Sequence, residues 1–167
     1  MDGATSAAHG QEGDPHRRLA AHLYGLIVSG AVLATAPDEF RLSRVAVLLL
    51  ITLAIYWAAE TYAHLMAARA VVQRDLTRAE SRTIVSDGWP LVSASAVPLV
   101  FLAAEALLGI ETSVALKLTL GVNAILLVIA GWRIGADGGL RGFRLALSAV
   151  IAGLLGVSLV ALKALMH

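Results

Sequence analysis

The chain contains no cysteine. Disulfides, thiolate metal sites and cysteine nucleophiles are therefore excluded, while the redox compartment stays open. Charge is scarce as well. Asp, Glu, Lys and Arg make up 15% of the 167 residues, against about a quarter in an ordinary soluble domain. The formal net charge of +1 provides no global field for nucleic acid or an acidic substrate. By contrast, 58% of the residues are hydrophobic. A core of this size cannot enclose them all, so the surplus needs lipid to face.

The few charges divide the sequence into long, nearly neutral runs. There are 19 residues between Arg18 and Asp38, 24 between Arg44 and Arg69, 23 between Asp87 and Glu111, 21 between Glu111 and Arg133, and 23 from Leu145 to the end. A spanning helix needs about 20 apolar residues at 1.5 Å rise each. No run alternates with period two, which argues against a barrel. The expected fold is all-α, a polytopic transmembrane bundle with five spans over about 19–37, 45–68, 89–110, 112–132 and 145–166. Residues 1–18, rich in Gly, Ala, Asp and His, read as a disordered cytoplasmic tail ahead of a single transmembrane domain, 19–167. Ala34-Thr35-Ala36 resembles a signal-peptidase site, but the apolar stretch before it is long and Pro37 follows directly.

Basic residues set the expected orientation. Nine lie on one side (Arg17, Arg18, Arg69, Arg74, Arg78, Arg82, Arg133, Arg141, Arg144) and three on the other (Arg41, Arg44, Lys163). This bias places the N-terminus inside and the C-terminus outside a plasma membrane. Thr77 and Glu80 form a T-x-x-E capping box, which predicts a short helix from Arg78. Asp137-Gly138-Gly139 marks a turn.

Ionisable residues inside spans face the bundle interior or water and mark candidate sites. His22 lies four residues in from Arg18, roughly 6 Å along the axis. His64 lies five residues from Arg69, roughly 7.5 Å deep, with Glu60 one turn deeper on the same face. At matching depth on neighbouring helices, His22, Glu60 and His64 are expected to line one polar pocket. The plainer reading has both histidines reaching the headgroups and Glu60 bonding a neighbouring helix. Two functional readings stand beside it: a proton or ion pathway, and a transition-metal or haem ligand set of two imidazoles and a carboxylate. No H-E-x-x-H zinc signature is present, and no other cofactor is called for.

Glu105 and Lys117 flank the tight connection between the third and fourth spans, and a salt bridge between them is expected. An ion or substrate site at the outer face is the alternative. Asn123 lies midway along the fourth span, where it can bond another helix. Gly25 with Ser29, Ala149 with Gly153, and Ser148 with Ala152 and Gly156 form small-x-x-x-small faces, read as packing or oligomer contacts.

The stretch Tyr56-Trp57-Ala58-Ala59-Glu60-Thr61-Tyr62-Ala63-His64, the Thr77–Glu80 box and Trp89-Pro90 resemble a pattern in multi-pass membrane proteins of high-GC actinobacteria. That group carries no assigned activity, so the resemblance implies a membrane fold and nothing about chemistry. It marks Tyr62 and His64 as part of a recurring local pattern. Three function classes follow: a small ion- or proton-conducting or transport-related bundle, a structural or assembly partner of a membrane complex, and a metal- or haem-binding membrane protein. The expected partners are the lipid bilayer and a second copy or membrane complex, with no nucleic acid. An enzyme is the runner-up class. No serine–lysine, aspartate–aspartate or zinc constellation for intramembrane chemistry is present.

Overall fold

The computed structural model describes residues 15–166. The tail expected over 1–18 lies, as far as residue 14, outside the described residues. Its last four residues are helical, because α1 begins at Pro15 and runs Pro15–Thr35. Proline suits a first turn, where a missing N–H leaves no bond unmade. Six further helices follow: α2 (Leu42–Val72), α3 (Arg78–Asp87), α4 (Trp89–Ser93), α5 (Ala96–Leu107), α6 (Thr112–Asp137) and α7 (Phe143–Met166). The described residues contain no strand. Five helical segments are long and apolar enough to cross a bilayer, the third comprising α3 to α5 in sequence. The protein is an all-α helical bundle of the multi-pass membrane class.

The third span is not one helix, and its prolines explain why. Pro98 has no N–H for the carbonyl of Ala94, and the helix breaks at Ala94 and Ser95. The Ser95 hydroxyl, fully buried, donates to the Val92 carbonyl at 2.6 Å. Upstream, Thr77 and Glu80 form the capping box that starts α3. Glu80 also holds Arg74 with two bonds of 2.8 and 3.1 Å, which raises the guanidinium above its ordinary pKa. The loop side of α3 is thereby pinned to the end of α2.

Left-handed glycines end two helices. Gly109 (φ +67) lets the N–H of Ile110 reach the Glu105 carbonyl and its own N–H reach Ala106. Gly139 (φ +74) does the same for Leu140 to Gly135 and for itself to Ala136. Both are Schellman closures, which satisfy carbonyls that would otherwise be orphaned.

Helix α1 sits centrally, packed against α2, α4, α6 and α7. The most extensive pairing is α6 with α7. The small residues of the sequence are spent within these contacts. Gly131 faces Ala152, Gly156 faces Ala124, and the Ser148 hydroxyl donates to the Gly131 carbonyl at 2.9 Å. Gly25 lies against the backbone of Leu91, and Ser29 donates to the Gly25 carbonyl at 2.7 Å. Of the two readings of these faces, packing within one chain is the one the structure displays.

The Gly25 contact is testable. A Cβ there would collide with the Leu91 carbonyl oxygen, whereas nothing lies within 4 Å of a Cβ at Gly121. Gly25→Ala should destabilise the bundle by about 1–3 kcal/mol, the usual cost of overpacking. Gly121→Ala should be neutral or slightly stabilising in thermal unfolding in detergent. Equal melting temperatures for the two variants would refute the close approach.

Candidate functional site

At the end of the bundle that carries the N-terminus, separate cavities divide the expected cluster. Glu60 and His64 line a cavity of about 540 Å³ between α1 and α2, together with Ala21, Tyr24 and Tyr56. His22 lines a different cavity of about 590 Å³, with Arg18, Pro90, Arg133 and Asp137. The three-residue pocket is therefore not formed. The reason is azimuth. Ala20, Ala21 and Tyr24 form the α1 face toward Glu60, and His22 points roughly 150° away at 3.6 residues per turn. Equal depth was necessary for convergence but did not suffice. Among the described residues no group of three or more His, Asp or Glu side chains is arranged to hold a metal ion. The ligand set His22, Glu60, His64 is thus lost with the pocket.

Glu60 and His64 do share a face. His64 Nε2 stands 3.7 Å from Glu60 Oε1, within ion-pair range but too long for a hydrogen bond. Glu60 Oε2 is buried without a hydrogen-bond partner. Next to it, Trp57 meets Trp89 edge to face at 6.5 Å between ring centroids. Gly88 makes room for this. A Cβ there would lie 3.1 and 3.2 Å from Trp57 Cδ1 and Nε1.

Glu105 and Lys117 do not pair. Among the described residues no ion pair joins them. Glu105 is only 4% exposed, while Lys117 is exposed. The Gly109 closure and the start of α6 set the two helices in a phase that turns Glu105 inward and Lys117 outward. Glu105 Oε2 instead accepts a bond of 2.7 Å from the Thr119 hydroxyl. Its Oε1 is buried with no partner. One turn along α6 from Thr119, Asn123 Nδ2 donates to the Leu26 carbonyl at 3.0 Å, and Asn123 Oδ1 is buried and unpartnered. Glu105, Thr119 and Asn123 form one interior polar line. The sequence reading had Asn123 and Glu105 but not Thr119. The i, i+4 spacing of Thr119 and Asn123 was the signal available.

Two further ionic contacts went unseen. Lys163, 2% exposed, donates to the Ala36 carbonyl at 2.6 Å and to Asp38 Oδ1 at 2.7 Å. Arg18 Nε donates to the buried Asp87 at 2.9 Å. Each joins residues far apart in sequence, which no local pattern announces.

Comparison with family models, curated proteins and solved structures returned no match for this chain. Fold and site together define its class: a five-span helical membrane bundle with a buried carboxyl in its interior.

Removing Lys163 takes away a donor shared by the Ala36 carbonyl and Asp38, both in the α1–α2 turn. Lys163→Met should lower stability by about 1.5–3 kcal/mol, the range for losing a hydrogen bond to a charged group. Lys117→Met should leave it nearly unchanged, and Glu105→Gln combined with Lys117→Met should show additive losses. Thermal unfolding of the four variants in one detergent reads this. A double mutant more stable than Glu105→Gln alone would restore the Glu105–Lys117 pair.

Proposed function

We propose that the protein moves a proton or small ion through the bundle interior, with Glu105 as the exchanging group. The observation that carries this reading is the Glu105 carboxyl, 4% exposed, bonded to Thr119 through one oxygen and unpartnered at the other. Ionisable groups that face the interior of a membrane bundle mark ion pathways and proton relays. Buried acceptors without a protein donor, here Glu105 Oε1 and Asn123 Oδ1, are positions for bridging water. Between Asn123 and the end with His22 stand Leu26, Leu91 and Leu127, all buried. They form an apolar collar that must part for conduction, so gating is part of the proposal.

The N-terminus is assigned to the cytoplasm, supported by the nine-to-three basic bias. A second reading, support of a membrane complex, draws on the α2 surface. Tyr56 and His64 are exposed on one face of α2, and a partner helix would cover them.

Two measurements test these statements. In vesicles carrying a pH-sensitive dye, Glu105→Gln should reduce proton flux to the level of protein-free vesicles, while Lys117→Met should retain it. Wild-type flux in Glu105→Gln would remove Glu105 from any pathway. Separately, a reporter active only in the cytoplasm should work when fused to the N-terminus and fail at the C-terminus. Activity at both ends would contradict an odd number of spans.

A further inference from the structure

The cavity that His22 lines has the build of an amphiphile site. Its rim carries two guanidiniums, from Arg18 and Arg133, beside the carboxyl of Asp137. Arg133, near the end of α6, makes no ion pair among the described residues. Arg18 uses Nε for Asp87, and its two terminal nitrogens remain to donate. His22 lies one turn deeper along α1. Below Arg133 the wall becomes apolar. Ile125 and Ile129 precede it at spacings of four residues, so the three share one stripe of α6, and both isoleucines are exposed. Leu126 and Ile129 line the cavity itself. Trp89 and Trp132 are exposed near the same end, and indoles settle at headgroup depth. A guanidinium pair at that depth, above an apolar stripe, matches a phosphate joined to an acyl chain.

We propose that this cavity holds one anionic glycerophospholipid. Its phosphate lies between Arg18 and Arg133, and an acyl chain runs along Ile129 and Ile125. Asp137, one turn beyond Arg133, also lines the cavity. Its carboxylate accepts from a hydroxyl of the headgroup and repels a second phosphate. The site is therefore matched to a monophosphate head bearing hydroxyls, of the phosphatidylglycerol type. The volume of about 590 Å³ takes the headgroup and the first part of one chain, leaving the rest in the bilayer. This site is independent of Glu105 and of any conduction.

The test is binding of dioleoylphosphatidylglycerol to the full chain in uncharged detergent, read by native mass spectrometry and by thermal protection. Dioleoylphosphatidylcholine and inorganic phosphate are the comparison ligands. Wild type should retain and be protected by the phosphatidylglycerol alone. Arg133→Gln should weaken that binding by roughly tenfold, the factor for losing one charge-assisted hydrogen bond. Arg141→Gln, at the same end but outside the cavity, should bind as wild type does. Ile129→Trp, which fills the apolar wall and leaves the charges in place, should also lose binding. It decides the matter if Arg133→Gln fails to fold. Equal binding of phosphatidylcholine would overturn the proposal, as would equal protection by inorganic phosphate. Equal losses in Arg133→Gln and Arg141→Gln, or full binding in Ile129→Trp, would do the same.

Discussion

Backbone hydrogen bonding in a medium without water is the constraint on which this bundle depends. Every carbonyl left free inside the hydrocarbon must find a donor from the protein. Where the helices are regular, the ladder supplies it. Where they are broken or end, side chains do. Ser95 closes the Val92 carbonyl at the Pro98 break. Lys163 reaches the Ala36 carbonyl just past the end of α1, and Asn123 adds a second donor to the Leu26 carbonyl within it. Ser148 adds a second donor to Gly131 where α6 and α7 touch. Three of these four bonds cross between segments. The same polar residues that satisfy the backbone therefore also fix which helices are neighbours.

The distribution of polarity follows. Once Asn123 is committed to α1 and Thr119 to Glu105, the interior of α6 carries a polar line on one side of an otherwise leucine-rich core. At the opposite end of that core, Arg18 and Asp87 tie α1 to α3, and Trp57 and Trp89 close over Gly88. The bundle is thus wettest near its two ends and driest at the level of Leu26, Leu91 and Leu127. A transport reading needs that dry level to open. A scaffolding reading needs it to stay shut.

What was legible in the sequence was one-dimensional. Charges at Arg18, Arg44, Asp87, Glu111 and Arg133 bounded apolar runs, and these gave the number of spans and the all-α class. Depth was also legible, since rise per residue is fixed: His22 and His64 were placed at the same end. Azimuth was not. His22 sits two residues from Tyr24 in sequence, yet the two line separate cavities. Proximity across the Gly109 turn suggested Glu105 with Lys117. The phase set by that turn gave Glu105 to Thr119 instead. The broken third span could have been read from Pro98 and the carbonyl it orphans. The Lys163 contact could not, because it depends on how the last helix returns to the first.

That return has a consequence for how the chain is made. Asp38 and Lys163 are 125 residues apart, and Asn123 lies 97 residues from the Leu26 carbonyl it bonds. A translating ribosome delivers the first hairpin long before either donor exists. Helices α1 and α2 must therefore wait in the membrane with the Ala36 carbonyl near the aqueous boundary and the Leu26 carbonyl dependent on its own ladder alone. Contacts of such wide separation form late and slowly. The fifth span thus closes the last side of the first: a chain halted before it keeps α1 against α2, α4 and α6 but leaves the Ala36 carbonyl and Asp38 without the Lys163 donor.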